Sequence, residues 1–174
     1  MNELDDAWEL ALAEARERAR GAGRRDIAEY LDLRHRNDLL RRTAIDWLRQ
    51  SIESLAGEAN RRGAGIQVEH HDDHRFKVGS ATMRGMQLTL RSGVRALSIE
   101  SGWPRTPGDG IVRGGGLALA NIRHFGRPRL NAELSLALSA KGAPQWLILE
   151  KTGERSTLTE DHLRRHFSIL LAES

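Results

Sequence analysis

The hydrophobic period of this chain changes at Gly63 to Gly65, and that change restricts the folds open to it. Before these glycines, apolar residues recur every three to four positions, which is typical of amphipathic helices. After them, apolar and polar residues alternate, which is typical of strands with one buried face. Helical spacing returns only near the C-terminus, from Leu163 to Leu171. The order of helices, sheet and helix predicts an α+β protein.

The N-terminal third predicts three helices. The first ends at Gly21 to Gly23, because glycine readily adopts the conformations that terminate a helix. A short second helix is expected around Ile27 to Leu31, and a long third helix from about residue 38 to residue 62. The first helix carries an apolar stripe that must be covered, which makes residues 1–23 a helical arm for self-association or partner contact. The interface residues predicted on this arm are Leu4, Trp8 and Leu12.

The middle of the chain predicts an antiparallel meander sheet of about 5–7 strands. Ser92-Gly93 is expected to form a tight hairpin turn within it. The C-terminal helix is expected to begin after Thr157, with Glu160 completing a capping box, and to pack on the sheet. No break in composition divides the chain, so residues 1–174 are predicted to form a single domain.

Composition narrows the classes of protein. The sequence has no cysteine, which excludes disulfides and zinc–thiolate sites. The acidic start does not match a signal peptide, and no apolar run approaches the roughly 20 residues of a membrane span. We therefore expect a cytoplasmic protein. Nearly all its positive charge is arginine, which is explained either by codon bias in a GC-rich bacterial genome or by function.

Positive charge is concentrated between residues 75 and 129, which contain ten basic and two acidic residues. Near the end of this segment, closely spaced arginines flank Phe125, an arrangement that suits phosphate binding and base stacking. Arginines elsewhere in the segment are expected to extend the patch over the solvated face of the sheet. The candidate residues for binding nucleic acid or another anion are Arg123, Arg127, Arg129 and Arg113.

The segment from Glu69 to His74 contains three histidines and is a candidate metal site. Its candidate ligands are His70, His71, Asp73 and His74. Alternation along a strand points neighbouring histidines to opposite faces, so a charged hairpin tip is the alternative interpretation. A second pair, His162 and His166, has helical i, i+4 spacing but lacks the glutamate of metalloprotease helices.

The glycine-rich stretch from Gly108 to Gly116 does not match a nucleotide-binding motif, because a strand-like segment follows it and no lysine–hydroxyl pair accompanies it. We interpret these glycines as allowing a bulge or a close approach of backbones.

No catalytic constellation is apparent, since cysteine is absent and no serine lies in a Gly-x-Ser-x-Gly turn. The sequence therefore favours a non-enzymatic binding or interaction protein that forms a homo-oligomer or binds a protein partner, with a small-ligand cavity between sheet and helix. Two alternatives stay open: a nucleic-acid-binding protein using residues 75–129, and a metal-dependent enzyme using His70 to His74. No membrane association is expected, and no cofactor other than that metal.

Overall fold

A computed structural model describes the backbone of residues 3–172 and the side chains of residues 10–172. Its elements are α1 (Glu3–Gly21), α2 (Arg25–Arg61), β1 (Gln67–Val78), β2 (Ala81–Ser92), β3 (Arg95–Trp103), β4 (Leu119–His124), β5 (Ala132–Leu138), β6 (Pro144–Leu149), β7 (Arg155–Thr157) and α3 (Glu160–Leu171). The predicted α+β order of helices, sheet and helix is confirmed. None of the described helices is long and apolar enough to cross a membrane.

The second and third predicted helices are a single helix, α2, of 37 residues. The predicted break near residue 38 was wrong. From Arg25 to Ala56 the sequence contains neither glycine nor proline, so no residue interrupts the ladder of backbone hydrogen bonds. The chain divides into two compact units, residues 1–40 and 41–174, and the boundary between them falls inside α2.

The first unit is a helical hairpin formed by α1 and the first part of α2. Gly23 adopts a φ of 72° in the turn between them. Arg16 links the two helices, because its Nε lies 3.1 Å from Asp32 and its Nη2 donates to the carbonyl oxygen of Leu31 at 3.3 Å. Leu12 is buried. The side chains of Leu4 and Trp8, the other predicted interface residues, lie outside the described residues.

The second unit contains a sheet of seven strands in the order β1 to β7, and every neighbouring pair is antiparallel. The predicted meander is therefore confirmed, and Gly93 turns the chain between β2 and β3 with a φ of 58°. Thr157 pairs with Leu147 in β7, so it does not cap the last helix. The N-cap of α3 is Thr159, whose Oγ1 lies 2.7 Å from Nδ1 of His162.

One face of the sheet packs against the second part of α2 and against α3. Leu48 and Ile52 of α2 meet Leu88, Ile99 and other strand residues in a continuous apolar cluster. The apolar residues that α3 adds to this cluster are Leu163, Phe167 and Leu170. Burying each such side chain stabilises the fold by about 1.5–3 kcal/mol. Trp47, on the same helix, is 45% exposed.

The opposite face of the sheet, which we call the open face, carries a smaller apolar cluster at one end. Its members are Phe76, Ala81, Met83, Val112 and Leu119. Beyond this cluster the side chains on the open face are mostly polar. Along each strand, the residues that alternate with the apolar core residues point to this face. Glu100 and the partners of its carboxylate lie on this polar part.

Candidate nucleic-acid interface

Glu100 of β3 is a buried carboxylate on the open face, with 5% of its surface exposed. One of its oxygens, Oε1, accepts from Nδ2 of Asn121 at 3.2 Å and lies 3.1 Å from Nη2 of Arg123. The other, Oε2, lies 2.9 Å from Nε2 of His74. A buried charge is costly unless it is paired and hydrogen-bonded, and these three partners meet that requirement.

The contact between His74 and Glu100 crosses an intervening strand. β1 is bulged between His71 and His74, where Asp73 adopts a φ of 57°, and His74 is then paired with Gly85 of β2. Gly85 in turn pairs with Gly102 of β3. A Cβ at Gly85 would overlap the carbonyl oxygen of Ser101, so the two strands approach closely only because this position has no side chain.

A groove of about 540 Å³ lies beside this network, at the end of the sheet formed by the β2–β3 turn and the β4–β5 connection. Three arginines from adjacent strands line it: Arg91 of β2, Arg95 of β3 and Arg123 of β4. Phe125 also lines the groove and is 80% exposed. No aspartate or glutamate is among the lining residues, so the charge of the groove itself is positive.

Arg91 and Arg123 have carboxylate partners outside the lining. Nε of Arg91 lies 3.4 Å from Glu69, and both side chains are about half exposed, at 52% and 50%. Exposed ion pairs of this kind contribute about 0–1 kcal/mol, so a phosphate can displace Glu69 at little cost. Arg123 is held more firmly because its partner, Glu100, is buried.

The structure brings together some of the predicted anion-binding residues. Arg123 lines the groove, and the exposed Arg127 and Arg129 follow it on the β4–β5 connection. Arg113 lies elsewhere, in the glycine-rich loop between β3 and β4. Of the other arginines expected on the solvated face, Arg84 alternates in phase with the core residues Met86 and Leu88. Arg95, the first residue of β3, alternates in phase with Leu97 and Ile99, so it reaches the groove from the edge of the core face.

The predicted metal ligands are separated into different contacts. Nε2 of His70 lies 3.0 Å from Asp72, whereas His74 bonds Glu100. Among the described residues, no group of three or more histidine, aspartate or glutamate side chains is placed to hold a metal ion. The segment therefore forms two separate contacts, between His70 and Asp72 and between His74 and Glu100.

The second predicted histidine pair is also divided. His162 caps α3 through Thr159, while Nδ1 of His166 lies 2.8 Å from Nε2 of the buried His124 on β4. The pKa of His124 is lowered by burial and by nearby Arg127. Burial, together with the nearby His124 and His162, lowers the pKa of His166 to about 4. Both imidazoles are therefore neutral near pH 7, and one donates to the other.

A cavity of about 280 Å³ lies between helix and sheet, and that it holds a small ligand stays a prediction. It lies between α2 and strands β6 and β7, and its walls include Trp47, Trp146 and Leu158. Nε1 of Trp146 already donates to the carbonyl oxygen of Ala44 at 3.0 Å, so the polar atom of that ring is satisfied within the protein.

Comparison with protein-family models, with curated proteins and with solved structures finds no match for this chain. The chemistry of the described residues is therefore the basis on which a function is inferred.

Proposed function

We propose that this chain is a non-enzymatic protein that binds single-stranded nucleic acid in the groove at the end of the sheet. The observation that carries the proposal is the convergence of Arg91, Arg95 and Arg123 on a groove without acidic lining, beside the exposed ring of Phe125. Arginine suits phosphate because its planar fork donates two parallel hydrogen bonds.

A single strand fits this surface better than a duplex does. Proteins that bind unpaired strands combine a positive groove for the backbone with an aromatic ring on which a base stacks. Phe125 offers such a ring, and the hydroxyl groups of Thr89 and Ser98 line the same groove as donors. In a duplex the bases are already stacked on each other, so no base is available to stack on the ring of Phe125.

The direct test is fluorescence anisotropy with a labelled 12-nucleotide strand of deoxythymidine, repeated between about 50 and about 200 mM salt. If three phosphates are neutralised, log K should fall with log[salt] with a slope of about −2, since each contact on a single strand contributes about 0.7. An affinity that does not change with salt, or no binding below about 10 μM, would rule out the proposal.

Charge-removing variants connect the binding to the groove. We expect Arg123→Gln and Arg91→Gln each to weaken binding about 10- to 150-fold, because a charge-assisted bond contributes about 1.5–3 kcal/mol. The matched control is Arg165→Gln, which removes the same charge from an exposed position on α3. Equal losses in all three variants would indicate a response to net charge alone.

Self-association through the helical hairpin is a second candidate. In residues 10–40, four large apolar side chains are exposed: Leu10 by 63%, Tyr30 by 61%, Leu33 by 54% and Leu39 by 60%. Exposed apolar surface on this scale is typical of an interaction site. Light scattering should report a dimer or larger species that Leu33→Gln with Leu39→Gln dissociates, whereas Leu138→Gln, at a 47% exposed position in the second unit, should leave the mass unchanged. A monomeric parent protein would exclude this candidate.

A further inference from the structure

A second cavity, of about 750 Å³, lies between the β1–β2 turn and the loop that joins β3 to β4. Its volume is within the range of about 300–1,000 Å³ found for small-molecule sites. It shares no lining residue with the groove at the end of the sheet.

The charged side chains in the cavity wall are both cationic. They are Arg41 and Arg113, and no aspartate or glutamate lines the cavity. Nε of Arg41 donates to the carbonyl oxygen of Leu117 at 2.6 Å, and its guanidinium carbon lies 5.8 Å from the ring of Trp103. Arg41 is thus a positioned cation, while Arg113 is exposed on the loop. This lining selects an anionic ligand.

The glycines of the cavity have two separate roles. Gly110 and Gly116 bring the loop against the sheet, because a Cβ at Gly110 would lie 3.2 Å from Ala81 and one at Gly116 would overlap Oγ of Ser135. Gly79 and Gly115 face open space instead, since a Cβ at either position would meet nothing within 4 Å. Without side chains, these positions let a ligand approach the backbone. The N–H of Gly115 already donates to the carbonyl oxygen of Val112 at 3.2 Å, which leaves the N–H of Gly79 as the candidate donor.

We propose that this cavity binds a phosphorylated small molecule of about nucleotide size. Arg41, Arg113 and the backbone N–H of Gly79 bind the phosphate. Val78 and Ile111, the latter 84% exposed, provide apolar surface for the organic part of the ligand. This site is independent of the nucleic-acid groove, and either can fail without the other.

ATP, adenosine and inorganic pyrophosphate are suitable probes for calorimetric titration of the full chain. We expect ATP to bind saturably below about 1 mM, pyrophosphate to bind more weakly and adenosine not to bind, because phosphate recognition supplies most of the affinity. Arg113→Gln should weaken ATP binding about tenfold. Its matched control, Arg165→Gln, removes the same charge from an exposed position on α3 and should change the affinity less than about twofold.

Amide NMR spectra locate the ligand. ATP should shift the backbone signals of Gly79 and Gly115 and leave those of Ser98 and Phe125 unchanged. The proposal is overturned if adenosine binds as tightly as ATP, if Arg113→Gln has no effect, or if the shifts occur at groove residues. Displacement of ATP by the 12-nucleotide strand would overturn it too, because the cavity would then belong to the nucleic-acid site.

Discussion

Nε2 of His74 lies 2.9 Å from Oε2 of Glu100, although their strands, β1 and β3, are separated by β2. Arg123 is bound to the other oxygen of the same carboxylate. Glu100 therefore orients a groove arginine and, at the same time, competes with any phosphate for it. This dual role makes Glu100 a position where affinity and stability should change in opposite directions.

Replacing Glu100 with glutamine should strengthen nucleic-acid binding while destabilising the fold. The substitution removes a negative charge beneath the groove and releases Arg123, so we expect the Kd for the 12-nucleotide strand to fall about three- to tenfold. The free energy of unfolding should decrease by about 1–3 kcal/mol, because charge-assisted bonds to His74 and Arg123 are lost.

Anisotropy and urea denaturation on the same preparation check both parts of that prediction. Glu133→Gln is the matched control, because Glu133 is an exposed carboxylate on β5 next to Asn121 in the sheet. We expect it to have little effect on stability. Weaker binding by the Glu100→Gln variant would show that the carboxylate positions Arg123 more than it competes for it.

Replacing Phe125 with alanine should weaken binding without destabilising the fold. The ring is 80% exposed, so the free energy of unfolding should change by less than about 0.5 kcal/mol. Losing a stacked base should cost about 1–3 kcal/mol of binding free energy, or roughly a 5- to 150-fold rise in Kd.

Val94→Ala is the control for Phe125→Ala. Val94 lines the same groove and is 95% exposed, but it has no ring on which a base can stack. A comparable loss of affinity in both variants would mean that the groove contributes only apolar contact area.

Sequence periodicity was sufficient to predict the order of elements but not the site. In β2 and β3 apolar and polar residues alternate because one face of each strand is buried. These strands could therefore be predicted from the local sequence pattern. The bond between His74 and Glu100 joins residues 26 positions apart and depends on a bulge that periodicity does not locate. The pairing of His124 with His166, 42 positions apart, likewise depends on how α3 packs on the sheet.

Long-range interactions also decide details of α3 and of the β3–β4 loop that the local sequence pattern does not determine. The position of α3 was predicted, but the capping-box spacing of Thr157 and Glu160 predicts Thr157 as its cap, whereas the cap is Thr159. Only the pairing of Thr157 with Leu147 decides between the two threonines, and that pairing is a long-range interaction. Arg113 was grouped with Arg123 for its charge, although the loop between β3 and β4 carries it to a different cavity.

Replacing Gly85 with alanine should destabilise the sheet strongly. A Cβ there would overlap the carbonyl oxygen of Ser101 and lie 2.7 Å from Cα of Gly102, so backbone rather than a flexible side chain would have to move. We expect a loss of about 3 kcal/mol or more in urea denaturation. Gly108→Ala is the matched control, since its nearest neighbour would be Oγ1 of Thr106 at 3.8 Å and no strain arises. Equal stability of the two variants would show that β2 and β3 separate readily.

Replacing His166 with glutamine should reduce the loss of stability at acidic pH. The pKa of His166 is lowered to about 4 in the folded protein, mainly by burial, whereas an unfolded histidine titrates near 6.5. Between these values the unfolded chain binds a proton that the folded chain does not, so stability falls as pH decreases from about 6.5 to about 4. The lowered pKa of His124 acts in the same direction.

Urea denaturation at several values of pH between 7 and 4.5 checks this expectation. The free energy of unfolding of the parent protein should fall by about 2 kcal/mol more than that of the His166→Gln variant over this range. His71→Gln, which changes an exposed histidine on β1, should keep the pH profile of the parent. Parallel profiles for the parent and His166→Gln would mean that α3 moves away from β4 at little cost and lets water reach the imidazole, since a hydrated ring would titrate near its ordinary value.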